Sequence, residues 1–112
     1  MFGSKESKIA RLIKRGKWDA ISRKYLNSDT ETKIILAREC AKSKNPGVNS
    51  ILSTLTRDSD SNVQLEAVKA LQVTGKEHEV AQLQWLLNQV PEDNSEMIKA
   101  IELAIDSCRG RR

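Results

Sequence analysis

Three times along this chain the same apolar stripe recurs at positions i, i+3 and i+7: Trp18, Ile21 and Tyr25, then Val48, Ile51 and Leu55, then Val80, Leu83 and Leu87. That spacing lines one face of an α-helix. The stripes begin 30 and 32 residues apart, a period that belongs to stacked helical hairpins. A single hairpin buries too little surface to stand alone, so neighbouring units must complete its core.

A polar turn with an N-capping residue follows each stripe: Ser28-Asp29-Thr30, then Asp58-Ser59-Asp60-Ser61-Asn62, then Glu92-Asp93-Asn94-Ser95. Second helices lie behind these turns, over residues 33–41, 63–71 and 96–104. Ala37, Ala67 and Ala100 fall at matching places in them, which predicts a close approach between helices. Asn45-Pro46-Gly47 and Thr74-Gly75 close the second helices, since asparagine and glycine suit a left-handed cap and proline starts the next helix. Residues 4–15 form a further helix, with Ser4 as its cap and Ile9, Leu12 and Ile13 apolar. It is expected to cap the open N-terminal end of the stack. The reading is a single domain, 1–112, with repeats over 17–44, 45–75 and 76–108 and a frayed tail at 109–112.

The stretch Asp58-Ser59-Asp60-Ser61-Asn62-Val63-Gln64-Leu65-Glu66-Ala67-Val68-Lys69-Ala70-Leu71 resembles the HEAT-repeat signature, in which an acidic turn leads into a second helix bearing valine, a basic residue, alanine and an alanine-leucine pair. Gln64 departs from the basic residue. Lys33 replaces the valine in the first repeat, and Leu103-Ala104 replaces alanine-leucine in the third. The resemblance covers roughly residues 17–108. It implies an all-α, right-handed α-α superhelix of about three two-helix repeats, and a scaffold in which the signature residues are structural. Two other architectures stay open. Trp18 and Tyr25 fit the tetratricopeptide repeat, although no Leu-Gly follows Trp18, and an ordinary helical bundle satisfies the same periodicity.

Catalytic and metal chemistry find little support. His78, the only histidine, lies in Lys76-Glu77-His78-Glu79 without an oriented partner, and Cys40, His78 and Cys108 lack zinc-ligand spacing. Asp58 and Asp60 read as helix caps, and Cys40 as a small core residue beside Ala37. No Gly-rich phosphate loop is present. Helical-repeat enzymes that excise alkylated bases share the general architecture but use a longer array with an aromatic cleft. The expectation is no catalysis and no cofactor. The start of the chain lacks the apolar core of a secretory signal, no apolar run is long enough for a membrane span, and a cytoplasmic location with reduced thiols follows as the default.

Two surfaces remain as candidates. On a wheel of the middle repeat, Val63, Ala67, Ala70, Leu71 and Thr74 face the first helix of their hairpin, and Leu65, Lys69 and Gln72 face away. Matching positions elsewhere are Ile35, Glu39 and Lys42, and Ile98 and Glu102. Ile35, Leu65 and Ile98 then either pack between repeats or form an apolar ridge on the concave face, edged by Glu39, Lys42, Lys69 and Glu102. Mixed charges around such a ridge favour a protein partner of unknown identity. The second surface follows from charge asymmetry. Residues 1–24 carry eight basic against two acidic side chains, while the whole chain has a net charge of only +4. Lys5, Lys8, Arg11 and Arg15 align along one helix face, and with Arg109, Arg111 and Arg112 they make nucleic-acid backbone binding the alternative function.

Overall fold

The computed structural model describes residues 4–112, and those residues form seven α-helices with no strand. They are α1 Lys5–Lys14, α2 Trp18–Tyr25, α3 Thr30–Ala41, α4 Val48–Leu55, α5 Ser61–Thr74, α6 Val80–Gln89 and α7 Ser95–Cys108, with a single 3-10 turn at Glu77–Glu79 before α6. Helices α1, α3, α5 and α7 pack side by side in that order, and α2, α4 and α6 lie against them as a second layer. The dimensions, 43 × 30 × 22 Å, fit a slab two helices thick. Among the described residues, α1 occupies the place of a second helix with no first helix before it.

The local signals behind these elements act as the sequence implies. Ser4, Asp29, Asp60 and Asn94 each accept a hydrogen bond from a backbone amide in the first turn of the helix that follows, which satisfies donors that have no partner inside the helix. The stripes of the first helices are the core of that layer: Ile21, Ile51 and Leu83 are buried, as are Tyr25, Val48, Leu55 and Val80. Trp18 and Leu87 are half-buried against the same core.

The register of the second helices differs from the expectation. Counting from the capping residues Asp29, Asp60 and Asn94, the third, seventh and eleventh positions are all buried: Thr32, Val63 and Met97, then Leu36, Ala67 and Ile101, then Cys40, Leu71 and Ile105. Ala37, Ala67 and Ala100 are buried too, but they stand eighth, seventh and sixth after their caps. No single small residue marks one place in all three helices. The cap sets the register because it fixes where the helix starts, and the turns between helices absorb the difference in length.

The glycines also work otherwise than expected. Gly75 ends α5 in an extended conformation and Gly47 precedes α4 in a helical one, so neither is a left-handed cap. Both are sites of close approach. A β-carbon at Gly47 would run into the Trp18 indole, and one at Gly75 into Cys108 Sγ and the Leu71 carbonyl. Gly110 is left-handed, at φ 80°, and so is Gly16, at φ 65°. There the amides of Gly16 and Lys17 donate to the carbonyls of Ile13 and Leu12 at 3.0 Å each, the double closure that ends a helix on a left-handed residue.

The expected frayed tail is a strap. Arg111 donates from Nη1 to the carbonyls of Val73 (3.0 Å) and Gly75 (3.2 Å), and its own carbonyl accepts from the Glu77 amide at 2.8 Å. The Gly110 amide donates to Glu77 Oε1 at 3.0 Å, and Lys76 Nζ to the Arg112 carbonyl at 3.0 Å. The chain turns back because the end of α5 and the turn after it offer backbone groups that no helix satisfies.

Candidate functional site

The surface that α3, α5 and α7 turn away from the first helices is built from the fifth, ninth and thirteenth residues after each cap. These positions lie roughly opposite the buried ones at about 100° per residue. They are Ile34, Leu65 and Lys99, then Arg38, Lys69 and Leu103, then Lys42, Val73 and Ser107. Ile34 and Leu65 are half-buried against the core, whereas Val73 and Leu103 are 64% and 55% exposed. One ion pair ties this face together across two helices, Arg38 Nε to Glu66 Oε1 at 3.2 Å. A second link, Lys33 Nζ to Asp58 Oδ1 at 2.6 Å, joins α3 to the turn before α5.

The expected ridge residues do not share one angular position. Ile35, Leu65 and Ile98 stand sixth, fifth and fourth after their caps, so each is rotated about 100° from the next. All three are half-buried. Leu65 and exposed Lys69 belong to the face. Ile35 lines a groove against α1 with Glu6, Ile34 and Arg38. Glu39 and Lys42 are paired with each other at 2.8 Å beside a second groove lined by Ala10, Ile13 and Lys14. Ile98 and the exposed Glu102 stand on the side of α7 away from α5, at places where α3 and α5 meet their following neighbours; the equivalents of Glu102 there are Ala37 and Val68, both 0% exposed. Ile34, Arg38, Val73 and Leu103 went unrecognised in the sequence. Counting from Asp29, Asp60 and Asn94 would have found them.

The basic residues are likewise divided. Lys8, Arg11 and Arg15 are exposed on α1, whereas Lys5 turns its ammonium to Thr32 Oγ1 of α3 at 2.9 Å. The C-terminal arginines follow α7, at the other end of the row from α1, and Arg111 is held in the strap. The two basic ends therefore do not form one patch.

A polar cleft between α4 and the start of α6 is lined by Asn49, Ser50, Ser53, His78, Glu79 and Gln82. Most of its polar atoms serve the fold. Asn49 exchanges hydrogen bonds with Thr74, donating to its carbonyl (3.0 Å) and accepting from its hydroxyl (2.7 Å). Gln82 Nε2 donates to the Ser53 carbonyl and to Thr56 Oγ1, each at 2.7 Å, and Glu79 Oε1 accepts from the Lys76 amide at 2.7 Å. His78 is exposed at the rim. Among the described residues no cluster of three His, Cys, Asp or Glu side chains is arranged to hold a metal ion. Both cysteines are free and buried. Burial pushes the Cys40 thiol up to about 12, with the Glu39 charge adding to the rise, and burial raises that of Cys108 as well. Neither supplies the thiolate that nucleophilic chemistry needs.

Two layers of helices joined by short capped turns, each second helix packed on the next, define a helical-repeat protein of the α-solenoid class. The model of the family described as HEAT repeats matches residues 22–106, and the chain belongs to that family. HEAT repeats are commonly protein-interaction scaffolds. No curated protein and no solved structure matches the chain. None of the seven helices is long and apolar enough to cross a membrane.

Proposed function

We propose that the chain is a non-catalytic scaffold that binds another protein on the open face of α3, α5 and α7. The observation that supports this reading is the placing of aliphatic side chains in water on a face whose neighbours are charged. Val73 and Leu103 are two of the three large apolar residues exposed among the described residues. Half-buried Ile34 on α3 and Leu65 on α5 add apolar surface to the same face, among Arg38, Lys42, Glu66, Lys69 and Lys99. Ile35 and Glu39 form its margin toward α1, and Ile98 and Glu102 its margin beyond α7. Exposed apolar side chains interleaved with charges of both signs suit a protein partner.

The test compares proteins captured from native cells by the unmodified chain and by Leu65→Ser and Leu103→Ser variants. Leu103 contributes little to the core, so its variant should melt with the parent. An interface anchor is worth about 2 kcal/mol, so a true partner should be retained roughly thirtyfold less. An unchanged set of captured proteins would refute the assignment of this face.

A further inference from the structure

The free edge of the array, α1, carries a concentration of charge that the protein-binding reading does not use. At about 100° per residue, Lys8, Arg11, Lys14 and Arg15 share an arc of about 120° opposite the buried Ile9 and Ile13. All four are exposed. No carboxylate falls on the arc, since Glu6 lies on the side turned to α3. The ion pairs found among the described residues engage Lys33, Arg38 and Lys42, and none of these four. Lys14 stands beside the groove that Glu39 also lines, but Glu39 is already paired with Lys42. Like charges left this close repel one another, and a polyanion relieves that repulsion.

We propose that this edge is a second docking surface, for the phosphate backbone of double-stranded nucleic acid. Three observations separate that occupant from others. A helix that binds a lipid surface needs a free apolar face to sink into it, and the apolar face of α1 is spent, with Ile9 0% and Ile13 4% exposed. Single strands are held by stacking bases on exposed aromatics, whereas Tyr25 is buried, Trp18 closes over Gly47, and the exposed Trp85 stands on α6, packed against α7 at the other end of the row. A backbone-tracking contact needs only unpaired cations, and guanidinium groups such as those of Arg11 and Arg15 match phosphate oxygens bidentately. The structure also alters the set of residues: Lys14 joins it, Lys5 leaves it for Thr32, and Arg111 is held by the strap.

The experiment is fluorescence anisotropy of a short, mixed-sequence DNA duplex titrated with the protein at several salt concentrations. Four phosphate contacts give a slope of log K against log salt of about −3 to −4, so binding weakens roughly a hundredfold between about 50 and 200 mM. Replacing Lys8, Arg11, Lys14 and Arg15 together with glutamine should weaken binding at low salt by at least about tenfold, while Lys69→Gln with Lys99→Gln on the other face changes it less than about twofold. Should the fourfold variant fail to fold, Arg11→Gln alone should make the slope shallower by about 1. A slope shallower than about −1, or equal binding by the fourfold variant, overturns the proposal. So does preference for anionic vesicles over the duplex, or concentration-dependent self-association that competes with DNA.

Discussion

The two ends of this stack meet their surroundings by different physics. At one end α1 lies against α3, with a smaller contact to α2, held by the buried side chains of Ile9 and Ile13 and by the link from Lys5 to Thr32, and it presents a bare basic surface. At the other end α7 contacts both α5 and α6. Its last buried residue, Cys108, sits against Gly75, and the strap behind it ties residues 110–112 to residues 73–77 with side-chain-to-backbone hydrogen bonds and one between backbone groups. In a repeat array each unit is stabilised by its neighbours alone, so a terminal unit must be supported from one side. The C-terminal unit has a complete hairpin and a return of the chain. The N-terminal one has a single helix.

Core truncation at the two ends gives the largest test of that difference. Ile9→Ala and Ile101→Ala each remove a side chain that is 0% exposed and should cost about 2–5 kcal/mol. They should differ in reach. Hydrogen exchange should show Ile9→Ala loosening α1 well before α5, whereas Ile101→Ala lowers protection across α5, α6 and α7 together. Equal loosening of the whole chain by both variants would show that α1 is as firmly integrated as α7.

Deleting residues 109–112 is the next test, and it isolates the strap. Its hydrogen bonds are partly exposed, so their loss should cost about 1–3 kcal/mol in total. The Glu77 amide should exchange with solvent far faster, since it loses the Arg111 carbonyl. A melting temperature and a Glu77 exchange rate that stay unchanged would return these residues to the status of a loose tail.

The smallest effect concerns acid, and it falls on the turns that both ends share. Burial by itself would raise the Asp58 carboxyl, but hydrogen bonds from Lys33 and the Asp60 amide, with the charge of Lys33, hold it below its usual value. Hydrogen bonds from Thr32 lower Asp29 likewise. A carboxyl depressed in the fold leaves the unfolded chain binding protons more readily. The stabilisation is therefore whole above the unfolded value of about 3.9 and is lost as pH falls through the lower folded one. Chemical denaturation should give a flat stability from neutral pH to about pH 5 and a decline below about pH 4. Asp58→Asn should be less stable at neutral pH, because it leaves Lys33 without its partner, and its acid decline should be shallower. The same decline in parent and variant would place the acid-sensitive group elsewhere.

What the sequence by itself determined were the features with local causes. The 3.6-residue period places Ile21, Ile51 and Leu83 inward because helix geometry puts every third or fourth residue on one face. Asp29, Asp60, Asn94 and Ser4 cap their helices because a short polar side chain reaches amides two or three residues ahead. The hairpin repeat follows from those two signals together, and the HEAT family from the likeness of residues 58–71 to its signature. Tertiary structure decided what depends on distant residues. Whether Ile35, Leu65 and Ile98 align turns on how turns of unequal length seat one helix against the next, and helical periodicity carries no record of that seating. Gly47 and Gly75 owe their glycines to Trp18 and Cys108, which approach them from elsewhere in the chain. The strap joins Arg111 to Val73, 38 residues away, through backbone carbonyls, which every residue possesses and no side-chain pattern announces.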